Sequence, residues 1–150
     1  MRLDKLTIKC QEALQSAREI AAKHSHQEIG VEHLFLALLR QTDGVVPQVI
    51  SLIGVEPSSL EHEIERLLAR KPEVEGKAGE YIGRDLAEAV EQGWKEAERL
   101  QDQYLSTEHL LLAITKKPNS DLAAILKPVS YTHLRAHETP EHLVCRLLLE

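Results

Sequence analysis

The sequence predicts an all-α protein assembled from two tandem copies of one helical unit, and three observations carry that expectation. Apolar residues recur three and four positions apart along most of the chain, the period of an amphipathic helix. Aromatic residues make up only 3% of the 150 positions, so the core must be built from Leu, Ile, Val and Ala, which favours packed helices over a β-sandwich. The third observation is an internal repeat: Glu32-His33-Leu34 returns as Glu108-His109-Leu110, 76 positions on. At that offset Leu6 meets Ile82, Cys10 meets Leu86, Ala13 meets Ala89, Leu14 meets Val90 and Ala17 meets Gly93. Ile29 falls on Leu105, Leu36 on Leu112 and Ala37 on Ala113. Apolar positions match apolar ones and small positions match small ones, which fixes the register.

Each element can be read in order. Leu3, Leu6, Cys10, Ala13, Leu14, Ala17 and Ala21 form one stripe of a first helix, and its alanines let a neighbour approach closely. A second helix over 31–40 is apolar on most sides and is therefore expected to be central. Its twin over 107–116 opens with Ser106 and Thr107 as candidate caps and Glu108 in the first turn, where the helix dipole favours an acid. A third helix follows Gly44 and stops at Gly54. A fourth starts at Pro57 and carries Leu60, Ile64, Leu67 and Leu68 on one face. The Pro- and Gly-bearing stretch 71–80 reads as a linker between repeat one (1–70) and repeat two (81–127).

The last residues depart from the pattern. A complete second unit needs a fourth helix over 133–146, yet Pro140 falls on its buried face, where proline costs about 3 kcal/mol or more. The string from Val129 to Thr139 and the Leu143–Leu149 close resemble translated sequencing-adapter read-through. Residues 128–150 are accordingly expected to be a non-native tail, leaving the second repeat without its last helix.

Composition removes several function classes. Net charge is −6, and Lys9, Arg18 and Lys23 are interleaved with Asp4, Glu12 and Glu19, so no basic footprint for nucleic acid exists. Cys10 and Cys145 form no C-x-x-C pair, there is no signal-type apolar segment, and no 18-residue apolar run occurs. A cytoplasmic location and no membrane partner are expected. His133, His137 and His142 do not make a metal site, because H-E-x-x-x-H puts the second His off the helical face and Pro140 intervenes. Ser58-Ser59 is accounted for by a helix start. His24 and His26 sit at a helix end, where they are expected to meet its carbonyls, and the repeat-matched His33 and His109 point to packing or surface roles. No catalytic residue and no metal ligand is singled out.

The opening Met1-Arg2-Leu3-Asp4-Lys5-Leu6-Thr7, the helix starts Gly30-Val31-Glu32-His33-Leu34 and Ser106-Thr107-Glu108-His109-Leu110, and the linker Pro72-Glu73-Val74-Glu75-Gly76 resemble the Clp N-terminal repeat domain, in its ClpB type, over about residues 1–127. That resemblance implies a non-catalytic all-α domain of two four-helix repeats. Such a domain is tethered before AAA+ ATPase modules of a homo-hexameric disaggregase and engages unfolded or aggregated polypeptide. ATP and Mg belong to those modules, and no G-x-x-x-x-G-K-[ST] loop stands here. By position the resemblance carries Thr7, Asp102 and Glu108 to a polar patch and points to Leu86, Val90 and Leu110 as residues of an adjoining apolar groove. Two other readings remain open: a ClpC/ClpA-type domain that binds adaptor proteins, and a freestanding accessory protein that docks on a Clp ring.

Overall fold

The computed structural model describes residues 5–71, 81–117 and 120–127. Seven helices are found among them. The first four are α1 (Ile8–Lys23), α2 (Val31–Leu39), α3 (Val45–Leu52) and α4 (Pro57–Ala69). They are followed by α5 (Arg84–Arg99), α6 (Thr107–Lys116) and α7 (Ser120–Ile125). Among the described residues the fold is all-α apart from a two-residue parallel pair, β1 (Glu28–Ile29) with β2 (Tyr81–Ile82), and a single bridge between Leu6 and Leu105. Most of the proposed linker 71–80 and the whole tail 128–150, with the positions of a fourth helix in the second unit, lie outside the described residues.

The helix ends follow the local chemistry. Thr7 caps α1, its hydroxyl accepting from Cys10 N–H at 3.2 Å. α3 stops before Gly54, whose φ of +88° suits glycine, and Pro57 opens α4. α1 and α5 each run 16 residues and begin 76 positions apart, as do α2 and α6. The repeat read from side chains is thus also a repeat of backbone.

The core is continuous across both units. Every residue of α2 is buried, and that helix packs against α1, α3, α4, α5 and α6. Phe35, Leu34, Leu36 and Leu38 are among its fully buried side chains. Each such side chain is worth about 1.5–3 kcal/mol in removal from water. α6 is buried along almost its length and packs most closely on α5. Gly93 permits that approach: a Cβ there would lie 3.1 Å from Leu105 Cδ1 and 3.3 Å from Leu110 Cδ2.

The short extended pieces tie the units together by exchange. Leu6 of the first unit pairs with Leu105 of the second, through Thr7 N–H to Leu105 O at 3.0 Å. Ile82, the twin of Leu6, pairs with Ile29, the twin of Leu105, through Gly83 N–H to Ile29 O at 2.9 Å. Each opening strand is lent to the other unit, so the two cannot separate without breaking both ladders.

Candidate functional site

Two kinds of feature stand out: a duplicated histidine relay and an apolar cleft where the units meet. The relay begins at the end of each first helix. His26 N–H reaches back to Ala21 O at 2.9 Å while Ser25 adopts a left-handed φ of 56°. Asp102 N–H reaches Ala97 O at 2.8 Å while Gln101 takes φ 61°. This is a Schellman-type stop, and it turns His26 or Asp102 onto the start of the next helix. There, a histidine in the third position accepts a hydrogen bond from the capping residue's backbone. His33 Nδ1 takes it from Gly30 N–H, and His109 Nδ1 from Ser106 N–H, both at 2.9 Å.

That bond fixes the tautomer. With Nδ1 accepting, the proton of each neutral ring resides on Nε2. His33 Nε2 faces His26 Nδ1 at 2.9 Å, and His109 Nε2 faces Asp102 Oδ2 at 2.8 Å. The side chains of His26 and His33 therefore meet each other, while the backbone N–H groups of His24 and His26 reach the α1 carbonyls of Ile20 and Ala21. Both repeat-matched histidines are buried, the packing role of the two expected. Burial, then neighbouring His26, hold His33 neutral with a pKa lowered from 6.5 to about 4; Glu32 opposes the shift, and Lys71 and His24 add to it. Glu32 itself is buried and pairs with Lys71 Nζ at 3.1 Å.

Among the described residues, Asp102, Glu108 and His109 can place one ligand atom each within 4.8 Å of the others, the spacing a cation would need. The helix start argues against that use. A metal on His109 Nε2 would require its lone pair, forcing the ring proton to Nδ1 against Ser106 N–H. The arrangement is suited to holding a helix start and presenting a carboxylate.

The cleft, about 570 Å³, lies between α1, α5 and the β1–β2 pair. Leu6, Leu14, Ile29, Tyr81, Ile82, Leu86 and Val90 supply its apolar lining, and Gln11, Gln15 and Arg18 of α1 form a polar border. Tyr81 and Ile82 are exposed. Two further clefts, of about 450 and 690 Å³, are twins of one another and are lined largely by charged and polar residues of α1 and α5.

Of the residues singled out by sequence, Leu86 and Val90 line the apolar cleft, whereas Leu110 is buried against α5 near Gly93 and does not. Asp102 and Glu108 meet around His109, with Glu108 Oε1 3.8 Å from Nε2. Thr7 joins the same corner through its backbone bond to Leu105, next to the start of α6. None of the three polar residues lines the cleft. Leu14, Tyr81 and Ile82 were not singled out; as apolar residues of unknown exposure they carry no sequence signal. The His26/His33 and Asp102/His109 relays left half of one, since His33 recurs as His109 at the same offset while His26 falls on Asp102.

The Clp repeat N-terminal domain family model matches residues 5–129. The chain belongs to this family. The Clp N-domain is similar to the chaperone protein ClpB of Bacillus anthracis, 35% identical over 152 residues that cover 99% of this chain and 17% of that protein. It therefore spans about one sixth of the length of such relatives, and that alignment runs past the end of the family match. In fold the domain is similar to the Hsp104 N-terminal domain of Candida albicans, with a TM-score of 0.76, 16% identity, and coverage of 88% of this chain and 87% of that one. It is also similar to the ClpV N-domain in a complex with a VipB peptide, with a TM-score of 0.72, 19% identity, and coverage of 89% and 84%. Among the described residues, no helix is long and apolar enough to cross a membrane.

Proposed function

We propose that this Clp N-domain is the substrate-engaging module of a ClpB-type chaperone, holding apolar segments of unfolded or aggregated polypeptide for ATPase modules encoded elsewhere in a hexameric parent. The observation that carries this reading is the apolar cleft with two exposed apolar residues, Tyr81 and Ile82, at its edge. A lone exposed apolar residue is ordinary, but several converging on one concavity mark a contact surface. Thr7 and Asp102, both half-buried, and Glu108 behind them supply a polar corner to the same partner. Binding of this kind is non-covalent and weak, as suits a module that passes its substrate on.

The test uses surface positions, because Leu86 and Val90 are buried and their loss would weaken the fold. Tyr81→Ser with Ile82→Thr should lower retention of a chemically unfolded, carboxymethylated protein at least fivefold, with the melting temperature within about 2 °C of the parent domain. Unchanged retention by that folded variant removes the cleft from the reading. The adaptor-binding alternative has one observation in its favour, the peptide held by the similar ClpV N-domain. It predicts tight binding of one folded partner and little retention of unfolded chains.

A further inference from the structure

The cleft contains an open strand edge, and the repeat shows how such an edge is closed. β2 pairs with β1 through Tyr81 N–H to Gln27 O and Gly83 N–H to Ile29 O, both 2.9 Å. Successive residues of an extended strand direct their backbone groups to opposite sides. The groups of 81 and 83 face β1, so the N–H and C=O of Ile82 face away from it. Ile82 lines the cleft and is 47% exposed.

Its twin, Leu6, has the same pairing with Leu105, yet its outward carbonyl accepts a hydrogen bond from Gln11 Nε2 at 3.1 Å, and Leu6 is only 6% exposed. Gln11 has Ala87 as its twin, a methyl group with nothing to donate. One strand edge is thus closed by a side chain from the following helix, and the other is left open beside an apolar cleft. An edge of that kind is a template for another strand.

The lining narrows the occupant. Leu6, Leu14, Ile29, Leu86 and Val90 offer apolar contacts beside that edge. We propose that the outer edge of β2 adds an extended, mainly apolar polypeptide strand. Backbone pairing at Ile82 gives this contact its tolerance of sequence. The inference rests on the cleft reading above and specifies its mode.

The experiment uses the full 150-residue chain and a fluorescein-labelled ten-residue peptide alternating Val and Thr, followed by fluorescence anisotropy. Two further peptides carry N-methyl groups on alternate amides, in one phase or the other. Strand addition uses amides on one side only. One phase should therefore weaken binding about tenfold and the other far less, a loss equivalent to about 1.4 kcal/mol. Ala87→Gln, which supplies the missing carbonyl partner at an exposed helix position, should weaken binding roughly three- to tenfold, and Ile82→Pro, which removes the outward N–H together with a side chain lining the cleft, should weaken it at least as much. Both variants are compared with the parent by thermal melting.

Equal effects of the two methylation phases, or no effect of Ala87→Gln, overturn strand addition while leaving cleft binding intact. No binding of the unmodified peptide overturns the cleft reading and this inference together.

Discussion

The two halves of the domain use the same backbone device with different chemistry. Each ends its first helix in a left-handed turn, and each holds the start of its second helix through a buried histidine in the third position. In the first unit, the partner of that histidine is another buried histidine, His26, with the ring of His24 stacked beside it at 5.5 Å. In the second it is the carboxylate of Asp102. The geometry survives the exchange because Nε2–H needs only an acceptor, and both an imidazole nitrogen and a carboxylate provide one. The response to protons does not survive it. A carboxylate favours a charged neighbour, whereas a second histidine opposes one.

The largest effect should come from deleting either hub. His109→Ala removes the acceptor for Ser106 N–H and the donor to Asp102, at a ring that is buried. A lost cap is worth about 1 kcal/mol and a lost hydrogen bond to a charged group about 1.5–3, so a loss of roughly 2.5–4 kcal/mol is expected. His33→Ala, which loses a neutral pair, should cost roughly 1 kcal/mol less. Urea unfolding at pH 7 measures both; equal values would mean that the Asp102 bond adds nothing beyond the histidine pair.

Acid should separate the units next. His33 is held neutral in the folded state, with a pKa of about 4 against 6.5 unfolded. The unfolded chain therefore takes up a proton that the folded chain refuses. The stability involved is present in full above pH 6.5 and lost as the pH falls to 4. At about 1.4 kcal/mol for each pH unit, the loss amounts to roughly 3 kcal/mol. Hydrogen exchange at pH 5 should show α2 losing protection relative to pH 7. No such loss would mean that the His26–His33 pair accepts a proton without strain.

His26→Asp tests whether that one residue accounts for the difference. It gives the first unit the partner found in the second and removes the neighbour that opposes protonation. The stability lost between pH 7 and pH 5 should fall by about half. An unchanged acid loss would place the effect in burial alone.

These details were unevenly legible. The helices, their order and the central place of α2 follow from apolar periodicity and the repeat, because core burial is what writes those patterns. The relay was half legible: Glu32-His33 and Glu108-His109 mark matched positions, but a left-handed turn at Ser25 or Gln101, neither a glycine, gives no composition signal. The exchange of strands was not legible, since two residues are too few to establish a period of two. Leu110 shows the same limit from the other side. A leucine in a buried stripe reads alike whether it faces a cleft or another helix, and here α5 covers it.

The smallest difference between the units is at the start of their first helices. α1 has Thr7 as cap, with a hydroxyl bond to Cys10 N–H, while α5 has Gly83 at the matching position and no side-chain cap. The backbone at Gly83, φ −70° and ψ 161°, is one that serine adopts readily, so glycine is not required there for conformation. A Cβ would meet the Glu28 side chain, 2.3 Å from Oε1 and 2.7 Å from Cγ. Glu28 is exposed and free to swing away at little cost. Gly83→Ser should then supply the missing acceptor to Leu86 N–H and raise stability by a few tenths of a kcal/mol, the usual difference between serine and glycine at this position. A rise of about 1–2 °C in melting temperature would show that the second unit omits its cap at no conformational need. A fall would show that Glu28 is held against Gly83, and that the β1–β2 exchange constrains the start of α5 more tightly than its own helix does.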